Sequence, residues 1–169
     1  MAETKIYIPD GLDQKLREQA MRRFGYGRGS ISAAAEEALG QWVARMEGID
    51  RRLAMIKERA RGDRQVVAVL LFGSYARKEP GFRDVDVAIL AEEGAKGFGV
   101  LSEYRNLVGA DSGIDIALLN DMPLQTKQRV MGEAVVLCVR DAKKLYDYSS
   151  DVIIRGSDFR YVYDKVLMG

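Results

Sequence analysis

The most constraining stretch of the sequence covers residues 71–90, LFGSYARKEPGFRDVDVAIL. One apolar run ends there at Gly73 and Ser74, and the next apolar run contains Asp84 and Asp86. Because alternate residues of a strand point to the same side, the two carboxylates share one face, about 7 Å apart at their Cα atoms. Two such charges repel each other unless a cation lies between them or one is protonated. The stretch therefore predicts an acidic, cation-binding site beside a glycine-serine turn.

Composition narrows the choice of cation. The chain has 169 residues and no histidine, and its single cysteine, Cys138, is predicted to be a buried strand residue without a partner. The usual general base and zinc ligands are therefore missing, and oxygen ligands favour Mg²⁺ or Mn²⁺. A third carboxylate would complete a two-metal site. Asp115 is the candidate, because it is the charged residue within the apolar run GIDIALL, where an unpaired charge would be costly.

Gly73 and Ser74 supply the anion-binding half of the predicted site. A glycine at a strand end lets the backbone approach a phosphate, and the N–H groups that follow can form an anion nest. Arg77 is a further candidate for phosphate contact. Together these parts indicate phosphoryl or nucleotidyl transfer. Taken alone, the Asp-x-Asp pair has an alternative interpretation, as a solvated edge or an ion pair with Arg77 or Arg83.

From Val66 onward, strand patterns alternate with helix patterns. The run VVAVLLFG is apolar throughout, which is typical of a strand buried on both faces. Further strands are predicted at DVDVAIL, Ile114–Asn120 and Val135–Arg140, and helices at Gly99–Val108, Pro123–Ala134 and Ala142–Met168. The aromatic residues of this last helix are interpreted as packing residues.

This arrangement resembles the minimal nucleotidyltransferases of the polymerase-beta-like superfamily. Their pattern is an apolar strand, Gly-Ser-x-Ala-Arg-Gly, a short loop, Asp-x-Asp in a strand, and a third Asp in a later strand. The resemblance covers about Val66 to Arg140 and, in our interpretation, the tail SDFRYVYDKVLMG. Lys78 stands where the family usually has Gly, Arg83 stands where it often has Ser, and the loop is about one residue short. All three aspartates are present.

The resemblance implies a role for each residue of the site. Gly73 and Ser74 would hold the triphosphate, Asp84 and Asp86 the metal ions, and Asp115 the catalytic metal and the attacking group. It also implies ATP as the substrate and an antitoxin role, because such domains often pair with HEPN-type toxins and modify them with AMP on a tyrosine.

The first 46 residues carry a different pattern. KIYIP predicts a short strand ended by Pro9, followed by a helix capped by Asp10 over Gly11–Phe24. A second helix is predicted to start at the cap residue Ser30, and a third, connecting helix to cover Gly48–Arg61. A strand–helix–helix unit of this size is too small to bury a core alone, and its unpaired strand favours pairing with a second copy.

This front pattern resembles the ribbon-helix-helix DNA-binding family. A two-stranded ribbon fits the DNA major groove, with Lys5 and Tyr7 pointing outward, and the resemblance places Gly29, Ser30 and Ser32 on the phosphate backbone. The residues up to Met46 include seven basic and six acidic ones, which is a low charge for a DNA-binding module. An alternative is that the ribbon only dimerises the protein.

The predicted fold class is α+β, with an N-terminal ribbon-helix-helix (residues 1–46), a connector helix (47–64) and a polymerase-beta-like mixed sheet flanked by helices (65–169). No apolar run approaches the roughly 20 residues that cross a bilayer, and we expect a cytoplasmic homodimer. The predicted function is Mg²⁺-dependent transfer of AMP to a protein, by an antitoxin that also binds operator-like DNA. Alternatives are a DNA-binding regulator whose transferase domain is inactive or only senses nucleotide, and modification of a small molecule.

Overall fold

The computed structural model describes the backbone of residues 5–167 and the side chains of residues 5–156. The chain divides into two compact units, Met1–Glu47 and Gly48–Gly169. The resemblance seen in the tail SDFRYVYDKVLMG rests on side chains outside the described residues. Within the described part of the chain, no helix combines the length and the apolar character that crossing a membrane requires.

The first unit contains helix α1 (Asp10–Phe24) and the beginning of helix α2 (Ser30–Gly62). The predicted strand is not formed: residues 5–9 belong to neither helix nor strand, and their side chains are exposed. A strand needs a neighbour for its backbone hydrogen bonds, and the described single chain offers none there. Asp10 lies inside α1, and Pro9 precedes it as the cap residue.

Ser30 has a different role from the predicted one. Its side chain is buried, and its hydroxyl lies 2.6 Å from the Gly25 carbonyl oxygen and 2.7 Å from that of Gly27. The hydroxyl therefore donates back into the turn between α1 and α2 and stabilises it. In this conformation the Ser30 hydroxyl hydrogen is engaged within the turn and does not point toward a DNA phosphate.

Helix α2 runs without a break from Ser30 to Gly62, so the prediction of two separate helices was wrong. Gly48 costs about 1 kcal/mol in a helix interior, but neither a proline nor a left-handed residue interrupts the chain there. The part of α2 that belongs to the second unit buries the stripe predicted from its periodicity, namely Ile49, Leu53, Ile56 and Ala60.

A four-stranded sheet forms the centre of the second unit, with strands β1 (Val66–Phe72), β2 (Val85–Ala91), β3 (Ile114–Leu118) and β4 (Val135–Val139). Its order is β3-β2-β1-β4. Strand β1 is antiparallel to β2 and β4, whereas β2 and β3 are parallel. Strand β1 is buried on both faces, as its continuous apolar sequence predicts, and β2 is buried apart from Asp86. The predicted mixed sheet flanked by helices is confirmed.

Helices α3 (Gly73–Ala76), α4 (Gly97–Val108) and α5 (Leu124–Glu133) connect successive strands, and helix α6 (Ala142–Leu167) follows β4. Helix α4 provides the crossover that the parallel strands β2 and β3 require. Strand β3 ends two residues earlier than predicted, because the Asn120 side chain takes up both backbone groups of Ala91, at 2.9 and 3.1 Å. Cys138 is buried on β4 with a free thiol, as predicted.

Candidate active site

Three acidic residues meet at one end of the sheet. Asp86 on β2 lies opposite Phe72, the last residue of β1, and opposite Asp115 on β3. Residues paired across neighbouring strands point to the same face, and so do residues i and i+2 of one strand. Asp86 and Asp115 therefore share one face of the sheet, next to the turn that follows β1, and Asp84 lies just before β2 in a cleft that Asp86 also lines.

The three carboxylates differ in their surroundings. Asp86 is half-buried, whereas Asp84 and Asp115 are exposed. Asp115 was expected to be a costly buried charge, but β3 is an edge strand and leaves its carboxylate in solvent. Burial, and then the negative charges of Asp115 and Asp84, raise the pKa of Asp86, while the positive charge of Arg129 lowers it. The negative charges thus act on one another, which is the condition a divalent cation relieves.

The donor chemistry of this group fits Mg²⁺ or Mn²⁺, because all of its atoms are carboxylate oxygens. Among the residues with described side chains, no group of three acidic, cysteine or histidine residues is already arranged to hold a metal ion. The backbone register brings the three aspartates together, and their side chains would still have to turn toward a common point.

Gly73 connects the end of β1 to the acidic face and cannot be replaced without strain. Its φ is +72°, in the left-handed region that side chains disfavour. A Cβ atom built on Gly73 would lie 2.0 Å from the Oδ2 atom of Asp86. The glycine therefore allows the backbone to pass directly beside the half-buried carboxylate.

Arg77 is engaged by two acidic side chains. Its Nε atom donates to Glu79 at 2.7 Å and its Nη1 atom to Glu133 at 2.7 Å. Glu133, at the end of α5, also accepts the Gly73 N–H through its other oxygen, at 3.2 Å. Glu133 is a site residue that sequence reasoning missed, because it lies far along the chain in a motif-free segment.

An open cleft of about 310 Å³ lies over Asp84 and Asp86. Ser74, Glu79, Asp84 and Asp86 line it together with the loop of residues 80–83. Phe82 in this loop packs edge-to-face on Tyr75, with ring centroids 5.0 Å apart. Lys78 adopts a φ of +58°, so the position where a glycine was expected from the family pattern does have a backbone that favours glycine.

A protein-family comparison identifies the second unit. The family described as "Polymerase beta, Nucleotidyltransferase" matches residues 54–143, more than half of the 169-residue chain. The chain belongs to this family. The matched range contains Gly73, Ser74 and all three aspartates, so the cleft lies in the nucleotidyltransferase domain. No curated protein matches the sequence.

Solved structures similar to this nucleotidyltransferase include a "toxin-antitoxin with AMP-PNP", with 16% identity and a TM-score of 0.49, covering 69% of this chain and 97% of that chain. Another is the complex of a tri-AMPylated Shewanella oneidensis HEPN toxin with its MNT antitoxin, with 15% identity and a TM-score of 0.46. That match covers 73% of this chain and 98% of the solved one. A third is the MntA-HepT toxin-antitoxin, with 13% identity, coverages of 72% and 98%, and a TM-score of 0.45.

The residues predicted to contact DNA lie in the first unit. Lys5 and Tyr7 are exposed, and the Lys5 Nζ atom lies 5.1 Å from the centre of the Tyr7 ring. Gly29 has a φ of +98° in the turn before α2, and Ser32 is exposed. Lys5, Tyr7, Gly29 and Ser32 are therefore accessible, and Ser30 is buried.

Proposed function

We propose that this nucleotidyltransferase transfers AMP from ATP to a protein acceptor in a Mg²⁺-dependent reaction. The observation that carries the proposal is the register of β2 and β3, which sets Asp115 beside Asp86, while the charge of Asp84 also acts on Asp86. Gly73 and Ser74 begin the turn at the same end of the sheet. Carboxylates for cations and backbone donors for phosphate are thus the two halves of one site.

In the proposed reaction, a hydroxyl oxygen of the acceptor forms a bond to the α-phosphorus of ATP, the bond to the β-phosphate breaks, and pyrophosphate leaves. Asp84, Asp86 and Asp115 would hold a divalent cation, which would supply positive charge for the phosphate oxygens. Ser74 and the Gly73 turn orient the triphosphate. Asp115 is the exposed carboxylate that an incoming hydroxyl reaches first, and we assign it the acceptance of the hydroxyl proton.

A protein is the acceptor we favour, because Asp84 and Asp115 are both exposed and the cleft is open. A large acceptor can cover such a site itself, whereas a small acceptor would need a further domain to enclose it. Because its motifs resemble those of minimal nucleotidyltransferases, we propose that this protein is an antitoxin and that its acceptor is a HEPN-type toxin. Both would act in the cytoplasm, where ATP is available and Cys138 stays reduced.

Labelled ATP tests this function. With Mg²⁺ and the product of the neighbouring gene, the wild-type protein is expected to transfer label to that partner, while the Asp84→Ala/Asp86→Ala double variant transfers none. Equal transfer by the double variant would contradict the assignment of the carboxylates. Absence of transfer, together with specific DNA binding, would favour the alternative of a regulator whose domain only senses nucleotide.

For the first unit we propose a ribbon-helix-helix homodimer that binds operator-like DNA. The proposal is supported by the apolar side chains that a single chain leaves exposed there. They include Ile6, Ile8, Leu12, Leu39, Trp42 and Val43, with 37–60% of their surface accessible. A second copy would cover them and would also provide the missing partner for a strand at residues 5–8.

Sedimentation equilibrium is expected to give twice the chain mass, and a mobility-shift assay is expected to show binding to DNA upstream of the gene. The Lys5→Ala/Tyr7→Ala variant should remain dimeric and lose DNA binding, because both side chains would face the major groove. A monomeric wild-type protein would contradict the proposed dimer. A dimer that does not bind DNA would support the alternative that the ribbon only dimerises the protein.

A further inference from the structure

Glu133 accepts hydrogen bonds from the donors that would otherwise bind a phosphate group. One oxygen of its carboxylate accepts the Gly73 N–H at 3.2 Å, and the other accepts from the Arg77 guanidinium at 2.7 Å. Only 18% of the Glu133 side chain is accessible to solvent. A backbone N–H at a glycine turn and a guanidinium are the groups that bind phosphate oxygens in proteins. The carboxylate therefore occupies an anion site that the fold has built.

The sheet determines this contact. Strands β1 and β4 are antiparallel, and Leu71 pairs with Val135. Two residues beyond this pair, Gly73 begins α3 and Glu133 ends α5, so both lie at the same end of the paired strands. Glu133 is also the last residue of α5, so both its helix and the strand that follows restrict its position. The pairing of β1 with β4 thus brings the two residues near each other, and the mostly buried Glu133 side chain makes the contact.

We propose that Glu133 competes with the phosphates of the nucleotide for Gly73 and Arg77, and so determines which anions the site accepts. The inference rests on the proposed function, because it takes the Gly73 turn and Arg77 as the phosphate site. The ligand that we expect to displace Glu133 is a polyphosphate. A triphosphate carries much more negative charge than the Glu133 carboxylate, whereas a single inorganic phosphate exceeds that charge by less.

Glu79 reinforces the competition from a second side. It accepts from the Nε and Nη2 atoms of Arg77, at 2.7 and 3.3 Å. The guanidinium beside it holds the pKa of Glu79 below its usual range, so Glu79 stays charged at neutral pH. Unlike Glu133, it has no described contact with the Gly73 N–H. Removing the charge of Glu79 should therefore weaken the competition for Arg77 alone.

The expected change in polyphosphate affinity follows from the fraction of time for which Glu133 occupies the site. When a site is free for only a fraction of the time, the apparent affinity falls by that fraction, so occupation of about 90% weakens binding about tenfold. The Glu133→Gln and Glu133→Ala variants should then bind a polyphosphate about five to ten times more tightly than the wild type. Glu79→Gln should tighten binding by about twofold.

Isothermal titration calorimetry tests the inference with two probes in the presence of Mg²⁺, ATP and inorganic tripolyphosphate. A matched control is Glu103→Gln, which removes a carboxylate that accepts from Arg59 at 2.6 Å, away from the cleft. Its affinity for both probes should equal that of the wild type. Melting temperatures identify any variant that has lost its fold, and Glu133→Gln keeps the shape of the side chain for that reason.

Unchanged or weaker binding of both probes by folded Glu133→Gln and Glu133→Ala proteins would overturn the inference, even if AMP transfer by the wild type is intact. No binding by any variant would overturn it as well. Tighter binding of tripolyphosphate without any AMP transfer would support the competition and count against the proposed function. The two hypotheses therefore fail separately.

Discussion

Replacing Asp86 by Asn is expected to abolish nucleotidyl transfer and, at the same time, to raise the melting temperature of the metal-free protein at pH 7. Transfer should fall by about 10³-fold or more, equivalent to about 4 kcal/mol of activation free energy. The physical reason is that Asp86 lies centrally in the acidic face, opposite Asp115 and two residues from Asp84.

The gain in stability follows from the raised pKa of Asp86, which burial, Asp115 and Asp84 produce. A carboxyl group with a raised folded-state pKa contributes its full stability below its unfolded pKa of about 3.9. That contribution is lost as the pH rises through the folded-state pKa. Asn carries no such charge, so the difference in melting temperature should be largest near pH 7 and vanish below about pH 4.

Calorimetry in EDTA across this pH range measures the effect, and labelled ATP measures transfer. Asp147→Asn is the matched control, since Asp147 is an exposed aspartate on α6 that lines a different cleft. The control should change neither property. A lower melting temperature for Asp86→Asn at pH 7 would show that the Asp86 carboxylate makes favourable contacts which outweigh its repulsion.

Gly73→Ala is expected to damage both the fold and the site. The left-handed backbone costs a residue with a side chain about 1–2 kcal/mol. The added Cβ atom would also lie 2.0 Å from the Oδ2 atom of Asp86. We expect a total loss of about 2–3 kcal/mol in the free energy of unfolding, and at least about a 100-fold loss of transfer, because the Asp86 carboxylate must move.

Gly109→Ala separates the two causes. Gly109 has a φ of +84° and no atom within 4 Å of a built Cβ, so it carries the backbone cost without the collision. Its ψ is 157°, a conformation that essentially only glycine adopts, so its variant should lose about 1–3 kcal/mol in the free energy of unfolding and keep its transfer rate. Urea unfolding and the transfer assay compare the two variants. Equal behaviour of both proteins would mean that Asp86 accommodates the new methyl group.

The central strands and the acidic face could be predicted from local patterns. A continuous apolar run predicted β1, because a strand between two neighbours and under helices is buried on both faces. The period of two placed Asp84 and Asp86 on one side. The periodicity of Ile49, Leu53, Ile56 and Ala60 predicted a buried helix stripe, although not that its helix is continuous with the preceding one.

Features that depend on distant or absent neighbours could not be predicted in this way. The exposure of Asp115 depends on β3 being an edge strand, which the order of strands determines. The strand at residues 5–8 requires a hydrogen-bonding partner that a single copy does not supply. Ser30 was expected to cap a helix, but the turn folds so that its hydroxyl meets the Gly25 and Gly27 carbonyls.

The sequence by itself determined which segments of the second unit form strands and which side chains could bind a cation, since both depend on residues only a few positions apart. Only the tertiary structure decided that Asp115 lies beside Asp86, and that Glu133 accepts hydrogen bonds from the Gly73 N–H and the Arg77 guanidinium. The physical reason is that strand register and a side-chain hydrogen bond join residues 29 and 60 positions apart in the chain, respectively, and no periodicity within one segment encodes such contacts.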